Sequence, residues 1–584
     1  MKKLLAYFKN YKGRSLLGPL FKLLEASFEL LVPFVVGLIV DKGLGENVNG
    51  AYPNANGTYI AWLCGVLALL GLLGFAFSVI AQYFCARVAT GVAGDIRKDL
   101  FKKIQSLSYK DIDTLGTSTL LTRMTSDVDR FQSGVNLALR LFLRSPFIVF
   151  GAMLTAFFID KQSIGVFAIT IVALAIVVYA VTFICMPLYK KAQAKLDKVS
   201  LSTRENLTGV RVIRAFCQED EERALFNERN EDLTKSRKFV GMLAALTNPL
   251  TYVLINVATI ALIYTGALRV DAGGLSQGSV LALYNLMGQI LVELIKLANL
   301  IVTVTKAAAC GSRIADVLHM QPSLQTDETA SAEQPDLRTD ILTFNDVTVR
   351  YNDGADAALE HVSFTLARGQ TLGVIGGTGS GKTTLVNAIP HFYDVESGEV
   401  LVGGVNVRSQ AMQEYLREKI GVVPQKAQLF KGTLRENLLW GRADAADEEL
   451  WQALKVAQAD EFVREKGGLD IPVEQGGKNF SGGQKQRLTI ARALVRNPDI
   501  LILDDSSSAL DYATDAALRQ EIKALQTTSI IVSQRASSVM HADKIVVLDD
   551  GVCVGLGTHE QLLNSCEVYR EIYNTQFQEG GRTA

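Results

Sequence analysis

Excess charge is missing from this sequence. Over 584 residues, 59 basic and 60 acidic side chains leave a net charge of −1. Without a basic surplus there is no electrostatic footprint for nucleic acid or another polyanion. Paired cysteines are missing too. The seven cysteines, Cys64, Cys85, Cys185, Cys217, Cys310, Cys553 and Cys566, are odd in number and scattered. They form no CxxC pair and no cluster with histidine, so they read as free thiols rather than a metal site or a disulfide framework. Histidine is scarce, with five in all. Nor does the opening, MKKLLAYFKNYKGR, carry a complete leader peptide. Lys9 and Lys12 break its apolar run and no small-residue cleavage site follows. It reads as an amphipathic entry helix on the cytoplasmic membrane surface.

What the sequence does have is apolar length. It is 48% hydrophobic, with a mean hydropathy of +0.20, and a bilayer span needs about 20 mostly apolar residues. Blocks of that kind centre on LLEASFELLVPFVVGLIV, WLCGVLALLGLLGFAFSVIA, FIVFGAMLTAFFI, IGVFAITIVALAIVVYAVTFICM, LTYVLINVATIALIYTGAL and VLALYNLMGQILVELIKLANLIV. Six spans are expected, the third weakened by Arg140 and Arg144 at its start. Lys42, Lys161 and Arg269 are the only basic residues in the short loops after spans one, three and five. The connections after spans two and four are long and dense in Lys and Arg, as in DIRKDLFKKI and YKKAQAKLDK. The positive-inside rule places these connections and both termini in the cytoplasm. Their helical spacing predicts membrane helices continuing below the bilayer and turning near 109–116 and 210–222. Asn56-Gly57-Thr58 on the outer side reads as a chance sequon in a polar loop.

The stretch QPSLQTDETASAEQPDLRTD is polar and aperiodic, a linker. The expected division is a membrane domain over 1–315, a linker over 316–340 and a soluble α/β domain over 341–584. In the last, GVIGGTGSGKTT contains GxxxxGK[ST] as Gly376, Gly381, Lys382 and Thr383. It follows the apolar strand TLGVI and opens a helix, the context of a P-loop. Backbone amides of Gly376, Gly377, Thr378, Gly379, Ser380 and Gly381 can curl around phosphates, with Thr384 closing the turn. Lys382 supplies charge, and Thr383 a hydroxyl for Mg²⁺. ILILD places Asp504 at a strand end to hold the metal's waters. Between these motifs Ser481, Gly482, Gly483 and Gln484 open a helix, so amides and dipole can face an anion.

With SGGQ about twenty residues before ILILD, the sequence resembles the ATP-binding cassette (ABC) transporters. Six spans and one cassette resemble a half-transporter of the type I, multidrug-exporter fold: an α-helical membrane domain with long cytoplasmic extensions, fused to an α/β P-loop nucleotide-binding domain. The resemblance implies ATP and Mg²⁺ as cofactors, with Tyr351 stacking on adenine. It implies Gln425 as the Q-loop residue near Mg²⁺, Ser481 to Gln484 as the signature, and Ser508 to Asp511 as the D-loop. ENLTGVRVIRAF and TLLTRMTSDVD resemble the family's intracellular loops. Cassettes of this family dimerise head to tail, so a second half-transporter is implied.

Two positions depart from the family pattern, and both concern hydrolysis. Asp505 stands where the family has a catalytic glutamate, one methylene shorter. Gln534 stands where it has a switch histidine; it can donate a hydrogen bond but cannot carry a proton. The expectation is a heterodimer in a bacterial cell membrane, resembling the degenerate-site subunit of bacterial heterodimeric multidrug exporters. This chain's P-loop would hold ATP, and its signature would complete the partner's hydrolytic site. The alternatives are a homodimeric exporter with slow hydrolysis or an ATP-sensing regulatory subunit. The expected cargo is a small amphipathic compound, drug or lipid. Glu25, Glu29 and Glu293 in or near spans one and six are candidates to receive it. Lys296 at i, i+3 from Glu293 favours an internal ion pair instead.

Overall fold

The structure, a computed structural model, describes residues 4–44, 56–324, 326–327, 340–351, 354, 356–506 and 508–578. The loop after the first span and most of the expected linker lie outside the described residues. The chain divides into two compact units, Met1–Gln105 with Thr117–Met320, and Ser106–Gly116 with Gln321–Ala584. The short stretch 106–116 thus belongs with the second unit, although its neighbours in sequence belong to the first.

The first unit is helical: α1 (Lys12–Leu38), α2 (Gly57–Gln105), then, after α3 (Tyr109–Leu115) of the second unit, α4 (Thr117–Thr122), α5 (Val128–Leu141), α6 (Arg144–Ile159), α7 (Ile164–Ala215), α8 (Glu219–Ala245), α9 (Thr247–Asp271) and α10 (Gln277–His319). Among the described residues six continuous stretches are long and apolar enough to cross a membrane, and each holds one expected span. The 49 residues of α2 reach about 74 Å at 1.5 Å per residue, more than twice a hydrocarbon core of about 30 Å. The extension beyond the bilayer is therefore built into helix length. Ala26, Ile148, Ala152, Leu283, Leu286 and Ile290 are fully buried between helices. Leu72, Phe158 and Ile169 face outward, as a lipid-bathed bundle requires.

The third span is the irregular one. It passes from α4 through a π-helical turn, Arg123–Asp127, into α5, and breaks again before α6. Asp127 at the first break is buried and accepts hydrogen bonds from Nη2 and Nε of Arg313 on α10, at 2.6 and 3.0 Å.

In the second unit ten strands form one mixed sheet, among the described residues. They are β1 (Asp340–Val349), β2 (Leu359–Ala367), β3 (Thr371–Gly376), β4 (Ser397–Val402), β5 (Val405–Asn406), β6 (Ile420–Val423), and, beyond the small pair β7 (Gly432–Thr433) and β8 (Pro472–Val473), β9 (Ile500–Asp504), β10 (Thr528–Val532), β11 (Lys544–Asp549) and β12 (Val552–Gly557). The order is β5-β4-β1-β2-β12-β11-β3-β10-β9-β6. β3 lies between β10 and β11 and runs parallel to both, and β9 runs parallel to β10. Ile500, Leu501, Ile502 and Leu503 are buried on both faces, which explains why this strand is continuously apolar rather than alternating. The C-terminal ends of β3, β9 and β10 meet at one edge, where parallel sheets bind ligands.

Candidate functional site

At that edge β3 turns through 377–381 into α11 (Lys382–Ala388). Only glycine fits at two points of the turn. Gly381 has φ +92°, and a Cβ there would lie 2.3 Å from the Ala358 carbonyl oxygen. At Gly376 a Cβ would lie 2.1 Å from the Leu548 carbonyl oxygen. The Lys382 ammonium donates to the carbonyl of Gly376 at 3.0 Å and to that of Gly377, so the loop organises its own cation. Burial lowers the Lys382 pKa, against the pull of Asp505 and Asp504.

A cavity of about 290 Å³ opens over this turn. Tyr351, the residues from Thr378 through Thr384, Gln425, Asp504, Asp505 and Gln534 all line it, together with Ala358 and Val532. The expected phosphate loop, metal carboxylate, Q-loop glutamine and the two altered positions thus share one wall. Thr383 donates its hydroxyl to Asp504 at 3.3 Å. Burial raises the Asp504 pKa and the Asp505 charge adds to this, while Thr383 and Lys382 oppose it. Tyr351 shares a hydrogen bond of 2.8 Å with the Thr384 hydroxyl.

Asp505 is held on both sides. Its backbone has φ +45°, a left-handed conformation that aspartate adopts more readily than most residues. Its amide donates to Val532 at 3.0 Å. Its carboxylate accepts from Gln425 Nε2 at 3.2 Å.

Ser481 to Gln484 and Asp511 stand apart from this cavity. Ser481 caps the helix Gly482–Val495 in a capping box with Gln484, and Gly483 approaches the Ala509 carbonyl so closely that a Cβ would lie 2.9 Å from it. Asp511 caps the helix Tyr512–Ala524 through Thr514. Ser481, Gly482 and Asp511 are exposed and Gly483 and Gln484 half-buried, and none of them lines the cavity.

The sequence matches the ABC transporter transmembrane region over residues 15–294 and the ABC transporter domain over 359–508. It is 33% identical over 580 residues to the ABC transporter ATP-binding protein YfiB of Bacillus subtilis (strain 168), covering 99% of each chain. The chain belongs to the ABC transporter family. An ABC transporter ATP-binding protein of Mycobacterium tuberculosis (strain ATCC 25618 / H37Rv) is 34% identical over 98% of this chain and 97% of its own. Among solved structures, a bacterial Atm1-family ABC exporter with ATP bound superposes with a TM-score of 0.80 at 22% identity, over 97% of this chain and 98% of that one. This ABC transporter chain is a half-transporter of the exporter fold, with an ATP-binding domain whose family hydrolyses ATP to drive transport. Such exporters work as dimers of half-transporters.

The candidate cargo residues of this ABC transporter lie in the first unit, in a cluster that sequence reasoning saw only in part. Arg144 donates to Glu293 and to Glu29, each at 2.6 Å. Ser145 and Lys296 add bonds of 2.8 and 2.7 Å to Glu293, and Lys22 pairs with Glu25. The expected Glu293–Lys296 pair is present. Arg144, expected only to weaken span three, is the hub. Three carboxylates meet three cations here, and Glu293 is only 2% exposed, so the cluster does not present uncompensated negative charge.

Proposed function

We propose that this chain is the ATP-holding half of a heterodimeric exporter of amphipathic compounds, with its termini in the cytoplasm. The observation that carries this reading is the pairing of Asp505 and Gln534 on the wall of a cavity that otherwise keeps every group for binding ATP. A general base works only within hydrogen-bond reach of the proton it takes, and small misplacements cost on the order of 10²-fold in rate. Asp505 is a methylene short of the family's base and already engages Gln425. Gln534 can hold a γ-phosphate by a hydrogen bond but cannot cycle a proton.

The remaining groups have plain roles. Amides of the loop and the N-terminus of α11 bind phosphate, Lys382 balances its charge, and Tyr351 offers a face to adenine. Thr383 and Asp504 are hard oxygen donors 3.3 Å apart, a fit for Mg²⁺, and Gln425 completes the set. The ion would neutralise phosphate charge. Ser481 and Gly483, at a helix start outside this cavity, would complete a site on the partner.

The test is steady-state ATPase activity in lipid nanodiscs, of this chain alone and with a partner half-transporter carrying Glu and His at the two positions. Near-zero activity alone and robust activity together is the expected result. The double variant D505E/Q534H should raise hydrolysis by the lone chain by about 10²-fold. Robust hydrolysis by the unaltered lone chain, lost in K382A, would instead establish a homodimeric exporter.

A further inference from the structure

The backbone that carries Gln534 is gripped by a helix with no residue on the cavity wall. Between β10 and the short helix Ala536–Val539, residues 533–535 form a loop that leaves Gln534 exposed in the cavity. Ser533 ties the start of this loop to the sheet, its amide donating to the Val374 carbonyl of β3 at 3.1 Å. The Ser533 hydroxyl accepts from the Arg535 amide at 3.0 Å. Arg535 stands at the N-cap of the short helix but gives it no side-chain acceptor. The acceptor comes instead from Gln576, whose Oε1 takes the Ala536 amide at 2.8 Å. Gln576 Nε2 donates to the Gln534 carbonyl, also at 2.8 Å. The peptide unit joining Gln534 to Arg535 is therefore held at both polar ends, its N–H by Ser533 and its C=O by Gln576.

Gln576 has a firm base. It belongs to the helix Glu567–Gln578, which is anchored by Tyr569, fully buried and sharing a bond of 2.7 Å with His559. Arg570 of the same helix donates to the carbonyls of Leu563 and Asn564 at 2.8 and 3.0 Å. Gln576 lies seven residues beyond Tyr569, two turns along the same helix face. A side-chain amide presents a donor and an acceptor side by side, whereas a carboxylate only accepts and a methyl group does neither. In the reading given above Gln534 works through a fixed hydrogen bond rather than a proton. Its contribution therefore depends on where its backbone stands, and a shift of about 1 Å is enough to lose such a contact.

We infer that Gln576 is a positioning residue of the nucleotide site. By clipping the Gln534 carbonyl and the Ala536 amide together, it aims the Gln534 side chain at the terminal phosphate and sets the preference for triphosphate over diphosphate. The inference rests on the reading of Gln534 as a γ-phosphate contact. The helix Glu567–Gln578 thereby acts on the site from outside its wall.

Equilibrium binding of Mg·AMP-PNP and Mg·ADP to the full chain in nanodiscs tests this, each by competition against a fluorescent ADP analogue. The readout is the ratio of the two affinities, because a general loss of folding weakens both alike. Q534A should lower the ratio about tenfold, the worth of a hydrogen bond to a charged group. Q576A should lower it about fivefold, and Q534A/Q576A no further than Q534A, since both act on one contact. Q576E keeps an acceptor for the Ala536 amide but turns an anion toward the Gln534 carbonyl, and it should lose as much as Q576A. T575A removes a hydroxyl that bonds to the Glu571 carbonyl within the helix at 2.8 Å, and should keep the unaltered ratio. An unchanged ratio in Q576A and Q576E, with Q534A lowering it, would overturn the positioning role and leave the reading of Gln534 intact. An unchanged ratio in Q534A would overturn that reading and the positioning role with it. A loss in T575A equal to that in Q576A would assign the effect to the helix as a whole and overturn the role of Gln576. If Q576A does not fold, Q576E decides.

Discussion

Arg144 starts α6 with its side chain only 7% exposed and two carboxylates within 2.6 Å. Removing one member of a buried, hydrogen-bonded ion pair leaves the other without compensation, at a cost of about 3–5 kcal/mol. R144M should therefore lower the thermal unfolding midpoint strongly, and adding E293Q should recover part of the loss. Equal midpoints for R144M and the double variant would mean that the cluster's charges are not coupled. The Glu293–Lys296 pair was legible in the sequence because i, i+3 neighbours on a helix are fixed by its pitch. Arg144 was not legible as its hub, because 149 positions separate it from Glu293 and only packing brings them together. Asp505 and Gln534 were legible by position along the chain. The left-handed backbone at Asp505 was not, since aspartate tolerates that conformation without specifying it.

Helices α1 and α10 approach each other closely along the membrane unit. Pro33 has no amide hydrogen to bond the Glu29 carbonyl within α1, and Gln289 Nε2 from α10 lies 3.4 Å from that oxygen. One turn further on, Gly37 and Gly278 nearly touch, and Asp41 accepts from the Gly278 amide at 2.7 Å and the Ser276 hydroxyl at 2.6 Å. A Cβ at Gly278 would lie 2.1 Å from the Gly37 carbonyl oxygen, whereas nothing lies within 4 Å of one at Gly288. G278A should destabilise the purified protein by about 1–3 kcal/mol, and G288A on the same helix should not. Matching unfolding midpoints for the two variants would contradict this close approach. The helices themselves were readable as apolar blocks, and strands β3 and β9 as short apolar runs. Which helix touches which, and the placing of β3 between β10 and β11, depend on contacts remote in sequence that carry no periodic signal.

For the whole molecule, the separation of Ser481 from its own chain's cavity predicts an asymmetric pair of phenotypes. In the heterodimer proposed above, S481R should reduce ATPase activity by about 10²-fold or more, because it would obstruct the site to which that reading assigns turnover. K382A should cost only a few-fold. Ser481 is also a helix cap, so its loss carries about 1 kcal/mol of stability, and melting curves should accompany the assay. Equal losses would mean that both sites hydrolyse. That six apolar helices precede an α/β P-loop domain was legible in the order of apolar blocks and motifs. That 106–116 belongs with the nucleotide unit was not, because Ser108 and Asp111 find Ser323 more than 200 positions away. The charge cluster around Arg144 has one more property. Lys22, Arg144 and Lys296 offset Glu25, Glu29 and Glu293. Carrying one charge through the membrane potential involves about 2.3 kcal/mol per 100 mV. For six charges that sum to zero and move as one body, the electrical work cancels. Membrane voltage therefore has no grip on a rigid translation of the helices through this cluster.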